Sequence, residues 1–126
     1  MRRALSLVFL LAVAACSGSG FDQPSASSFH EGSCRELAPS VLALGKDLHG
    51  IGSKTPSSGQ RSALKKDQGE LRTHQTGLTT ALAPTVQNLV TAVGLVRLRT
   101  DTNSYAPSLT KDAMTAYRGV VQACTT

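Results

Sequence analysis

CRELAPSVLALGKDLHGI, residues 34–51, sets apolar side chains at Cys34, Leu37, Val41, Leu44, Leu48 and Ile51, at successive spacings of 3, 4, 3, 4 and 3. That rhythm matches the α-helical repeat of roughly 3.6 residues and gathers all six side chains on one face. Pro39 is expected in the first turn of this helix, where its missing N–H costs least. The helix runs out in Gly50-Ile51-Gly52-Ser53-Lys54-Thr55-Pro56, a string of helix breakers and turn formers. Gly50-x-Gly52-Ser53-Lys54 resembles a piece of a phosphate-binding loop, but no strand pattern precedes it and the Walker spacing is absent, so it reads as a turn.

Further along the chain, Ser57 followed by Gln60 forms a capping box that opens a second helix. Its stripe is weak: Leu64, Leu71 and Leu78 recur every seven residues, while Gln68, His74 or Gln75 fill the seam between them. Gly69 and Gly77 lower its propensity by up to about 1 kcal/mol each, so this helix depends on its neighbours. Leu82, Val86, Leu89, Val93 and Val96 restore a strong stripe, widened by Val90, Leu95 and Leu98, which makes the third helix the most buried. Pro84 opens that helix or kinks one long rod made of helices two and three, and both arrangements fit the sequence. Thr100 to Ser104 is a turn, and a last helix from Pro107 to Cys124 carries Ala113, Met114, Ala116, Tyr117, Val120 and Val121 on adjoining stripes. No segment alternates with period two long enough for a sheet. The expected fold is all-α, a small up-down bundle of four helices, with burial favouring it over the rod because short helices on a rod would leave their stripes in water.

Working toward the amino terminus, Ser17 to Ser33 reads SGSGFDQPSASSFHEGS, a Ser/Gly-rich composition with no sustained period, and is expected to be a flexible tether. Phe21 and Phe29 within it are expected to remain undocked. Before it, Met1-Arg2-Arg3 is a positive start, Ala4 to Ala15 is almost unbroken apolar, and Ala14-Ala15 closes the run ahead of Cys16. This is the order of regions in an export signal, and at about a dozen residues the run is well short of the roughly twenty needed to span a bilayer.

Val13-Ala14-Ala15-Cys16 resembles the lipobox of bacterial lipoproteins, with Val13 where that family prefers Leu. The resemblance covers the first sixteen residues. It implies removal of residues 1–15, a diacylglycerol on the Cys16 thiol, acylation of the new amino terminus, and a protein held on the extracytoplasmic face of the cell membrane. An ordinary signal peptide cut after Ala14 or Ala15 is the competing reading of the same residues. With Cys16 lipidated, the chain's three cysteines leave an even pair, Cys34 and Cys124, expected to form a disulfide outside the cell. In layout, the expected domain of residues 34–126 is similar to small helical lipoproteins of GC-rich Gram-positive bacteria, in keeping with eight Arg against five Lys and a single Ile.

The 126-residue chain has a formal charge of +5, and losing Arg2 and Arg3 with the signal lowers it to +3. So small an excess lacks the clustered basic face that nucleic acid demands. Arg61, Lys65, Lys66 and Arg72, joined by Arg97 and Arg99, form the basic cluster of note, a candidate contact with anionic headgroups or an anionic wall polymer, interrupted by Asp67 and Glu70. There is no Gly-x-Ser-x-Gly elbow, no His-Glu-x-x-His and no paired Glu-x-x-His, so no catalytic residue, metal ligand set or cofactor is assigned. Glu70 and His74, one helical turn apart, with His49 as a distant third, are the best that a metal could find; each histidine is better explained by its place on a helix boundary. The expected function is a non-catalytic binding or structural module of the cell envelope, anchored by lipid and meeting an envelope protein or anionic polymer; a carrier of metal or a small ligand is the alternative.

Overall fold

A computed structural model describes residues 21–126. Residues 1–15, expected as the signal, and Cys16, expected as the lipidated residue, lie outside the described residues. The described chain holds four α-helices and no strand: α1 (Ser33–Ile51), α2 (Ser58–Thr73), α3 (Ala83–Asp101) and α4 (Pro107–Thr125), preceded by a short 3-10 turn at Ala26–Ser28. They form a helical bundle in which α1 and α3 each pack against both α2 and α4. The expected disulfide is present: Cys34 and Cys124 are bonded at a Cα–Cα separation of 5.4 Å, joining the start of α1 to the end of α4.

The apolar stripes do what their spacing implies. Leu37, Val41, Leu44, Leu48 and Ile51 of α1 are buried, as are Leu64 and Leu71 of α2, Val86, Leu89, Val93 and Val96 of α3, and Ala113, Met114, Tyr117, Val120 and Cys124 of α4. The capping box also forms, with Ser57 Oγ accepting from the Gln60 N–H at 3.2 Å and Gln60 Oε1 accepting from the Ser57 N–H at 2.9 Å. Gln68, a polar interruption in sequence, is buried at 4% exposure because its amide is satisfied: Nε2 donates to the Val90 carbonyl at 2.9 Å and Oε1 accepts from Arg97.

Three expectations are corrected, and one point that the sequence left open is decided. α1 begins at Ser33, so Pro39 sits in its second turn, on an exposed position where the unsatisfied Arg35 carbonyl can meet solvent. Helices two and three are not one rod. The loop from His74 to Leu82 separates them; Gly77 takes φ 84°, which favours glycine, and Thr79 Oγ1 accepts from the Leu82 N–H at 3.3 Å, so Pro84 stands in the first turn of α3. Leu95 and Leu98 do not widen the buried stripe of α3 but stand 41% and 56% exposed, since among the described residues α3 packs chiefly against α2 and α4.

The third correction concerns the tether. Residues 21–33 lie on the bundle instead of hanging free. Phe29 is 1% exposed, Gln23 Nε2 donates to the Leu42 carbonyl at 2.8 Å and to Tyr117 Oη at 3.0 Å, and the His30 N–H donates to the Cys124 carbonyl at 2.8 Å. Arg35 holds the segment from α1, its guanidinium donating to the carbonyls of Ser27 at 2.9 Å and Phe29 at 3.0 Å and 2.9 Å. A chain with no Trp and three Phe, one of them at position 9, has few large rings for its core, and Phe29 supplies one that α1–α4 do not contain. The folded unit therefore starts by Phe21 rather than at Cys34. Phe29→Ala is expected to cost about 3–5 kcal/mol of stability in urea unfolding; an unchanged midpoint would mean that the segment does not pack on the helices.

Candidate functional site

The basic cluster on α2 is only partly available. Arg61 is paired with Asp101 at the end of α3, Nη1 to Oδ1 at 3.2 Å, and this half-exposed pair is weak in stability terms. Arg97 turns inward to Gln68. Lys65, Lys66 and Arg72 are exposed, but Arg72 stands in the last turn of α2, away from Arg61 in the first. A face broken in this way, with Asp67 beside Lys66, is a weak footprint for any polyanion. Glu70 is exposed on α2 and His74 caps that helix, whereas His49 is in the last turn of α1; among the described residues no group of three or more His, Cys, Asp or Glu side chains could hold a metal ion.

A more developed constellation lies where α1 ends and α4 begins. The Phe21 ring stacks on His49 with centroids 4.4 Å apart and planes inclined by 10°, and tilts against Tyr117 at 6.1 Å. Gly45 makes this close approach possible, because a Cβ there would fall 2.5 Å from the Tyr117 ring and 2.8 Å from Gln23 Nε2. Burial pushes the Tyr117 phenol upward, against the lowering effects of the Gln23 hydrogen bond and the Arg118 charge. Beside the stack is an open groove of about 540 Å³, with buried Leu48 and Met114 at its base and exposed His49, Lys111 and Arg118 around it. No carboxylate lines it, so its chemistry suits a small anion with an apolar body.

Between α1 and α2 the structure brings together two carboxylates that no single-helix pattern reveals. Asp47 reaches Asp67, and its Oδ2 is buried without a hydrogen-bond partner. Burial, reinforced by the hydrogen bond to Asp67 and by that neighbour's charge, pushes Asp47 from an ordinary 3.8 up to about 7. Sequence periodicity places each aspartate at the edge of its own helix; their meeting depends on the register of α1 against α2. The Phe21 and Gln23 contacts were hidden for a different reason, because Ser/Gly composition masks isolated anchoring side chains.

No family model, no curated protein and no solved structure matches the chain. No helix of the described residues is long and apolar enough to cross a membrane.

The aspartate pair yields a test. The folded state favours the protonated Asp47 carboxyl, so its contribution is complete below the unfolded value near 3.8 and is lost as pH rises through about 7. Asp47→Asn should flatten that decline and stabilise the protein at pH of about 8 by about 1 kcal/mol, the ionisation shift being discounted for a side chain that is only half-buried. Thermal melts at about pH 5 and 8 should show a gain of several degrees at the higher pH and a clearly smaller one at the lower; an equal gain at both would remove the carboxylate pair as the cause.

Proposed function

We propose that the chain is a lipid-anchored, extracytoplasmic lipoprotein whose helical domain is a non-catalytic binding or structural module of the cell envelope. The observation that carries this reading is the Cys34–Cys124 bond. A disulfide belongs to an oxidising compartment, and its formation leaves Cys16 as the single remaining thiol, placed directly after an apolar run with a positive start. The domain is arranged up-down-up-down. That arrangement is supported by contacts at both ends: Gln60 Nε2 donates to the Gly50 carbonyl at 3.1 Å and Arg61 meets Asp101 at one end, while Gln75 Nε2 donates to Gln87 Oε1 at 2.8 Å and Cys34 meets Cys124 at the other.

Intact-mass measurement on the protein extracted from membranes is expected to show loss of residues 1–15 and addition of two or more acyl chains at Cys16. Cys16→Ser should abolish the added mass and move the protein out of the membrane fraction. An unmodified Cys16 in the native protein sinks the anchoring reading.

A small-ligand carrier is the second reading, favoured by the groove between His49, Lys111 and Arg118. Native mass spectrometry of the same extract should then reveal a co-purifying anionic molecule, lost on Lys111→Gln; a ligand-free spectrum counts against it.

A further inference from the structure

We propose that the end of the bundle formed by the α1–α2 and α3–α4 turns is a docking surface for an anionic lipid bilayer, and that it sets which way the domain stands on the membrane. The proposal rests on the anchoring reading above and adds an orientation to it.

The first support is the path of the amino-terminal segment. Phe21 stacks on His49 in the last turn of α1, and nine residues later His30 bonds to Cys124 in the last turn of α4. The chain therefore joins the domain at the turn-bearing end and travels to the disulfide end before α1 begins. Cys16 precedes Phe21 by five residues, a stretch that spans at most about 18 Å. Lipid on Cys16 would hold the turn-bearing end close to the bilayer and the disulfide end away from it.

Charge is distributed in the same sense. With each helix divided at its midpoint, the half toward Phe21 carries seven Lys and Arg against four Asp, whereas the half toward the disulfide carries four basic and four acidic groups. All the net positive charge of residues 21–126 thus lies on the half nearer Cys16. Lys54 and Arg99 are exposed there, and neither is in a salt bridge among the described residues. Several such charges close to a surface rich in anionic lipid are attracted to it over the length of the short linkage, with salt weakening the effect.

Apolar exposure coincides with that charge. Leu95 and Leu98 are the exposed large hydrophobic side chains of the described residues, both in the half of α3 nearer Phe21, and Arg99 adjoins Leu98. A leucine pair beside a cation on the last turns of a helix fits the polar–apolar boundary of a bilayer, where the leucine enters the acyl edge and the guanidinium stays among phosphates.

The chain contains no tryptophan, so one can be placed as a clean reporter. Leu98→Trp and Thr76→Trp put the probe at an exposed site near either end, and circular dichroism verifies that each variant folds. Each full-length protein, extracted from membranes, is reconstituted into vesicles of phosphatidylglycerol and phosphatidylcholine containing a doxyl-labelled lipid. Emission from position 98 should be quenched and blue-shifted while position 76 is unaffected. Lys54→Gln with Arg99→Gln, or vesicles of phosphatidylcholine alone, should shift the orientational preference on the order of tenfold toward parity. Equal quenching at both positions, stronger quenching at position 76, or none at either would overturn the proposal. Intact mass on the same sample reports separately on the anchor: acylated protein with equal quenching defeats the orientation alone, and unmodified protein quenched only at position 98 defeats the anchor while the orientation stands.

Discussion

The seam between the first and last helices is the constraint on which the domain depends. Cys34 and Cys124 close a loop of 90 residues there, and in the chain-entropy picture a crosslink of that span removes roughly 4–5 kcal/mol of freedom from the unfolded chain. That is a large share of the stability available to a small domain. It matters more here because the four helices themselves contain a single Phe, Tyr or Trp ring, that of Tyr117. The bond also acts on its surroundings: the Cys124 carbonyl receives the His30 N–H, so the crosslink and the amino-terminal segment fix each other. Phe29 then seals the same region with a fully buried ring.

The weak member of the bundle is stabilised in a different way. α2 is short on buried apolar side chains, with Leu64 and Leu71 as its main anchors. Its third buried residue is Gln68, which reaches across to the Val90 carbonyl and receives Arg97 from α3. A buried amide with both ends satisfied is directional in a way that a leucine is not, so Gln68 fixes the register of α2 against α3 where apolar packing alone would leave it loose. On its other side α2 meets Asp47 of α1 through Asp67. One helix thus takes its position from two polar contacts of opposite character, an amide satisfied at every pH and a carboxylate that favours the helix pair only while protonated.

Which parts of this were readable in the sequence follows from the range of the interactions. The stripes of α1, α3 and α4 were readable because burial on one face repeats with the helix itself, and the capping box was readable because Ser57 and Gln60 are three residues apart. The end of α2 was not, because Leu78 continues the seven-residue spacing beyond Thr73 although it belongs to the loop, where Gly77 and Thr79 turn the chain. Leu95 and Leu98 misled for a related reason: periodicity shows that a face is apolar, but a neighbour is needed to cover it. The amino-terminal segment departs furthest from what its composition implies. Its Ser/Gly content signals low intrinsic order, whereas its structure rests on Phe21, Gln23 and Phe29, which composition averages away.

The docking of that segment changes the mechanics of the molecule. A free seventeen-residue linker from Ser17 to Ser33 would let the domain tumble and present every face in turn to whatever surface held it. With residues 21–33 bound along α1 and α4, a lipid anchor on Cys16, as proposed above, would be joined to the domain at the Phe21 end alone. Such attachment would make the two ends inequivalent before any partner is considered. On that reading the groove beside His49 would belong to the end next to the attachment, and the disulfide, with Gln75 and Gln87, to the end facing away from it. A partner in the outer envelope would meet an end with balanced charge and few exposed apolar groups, which favours recognition through shape and hydrogen bonds over electrostatic capture.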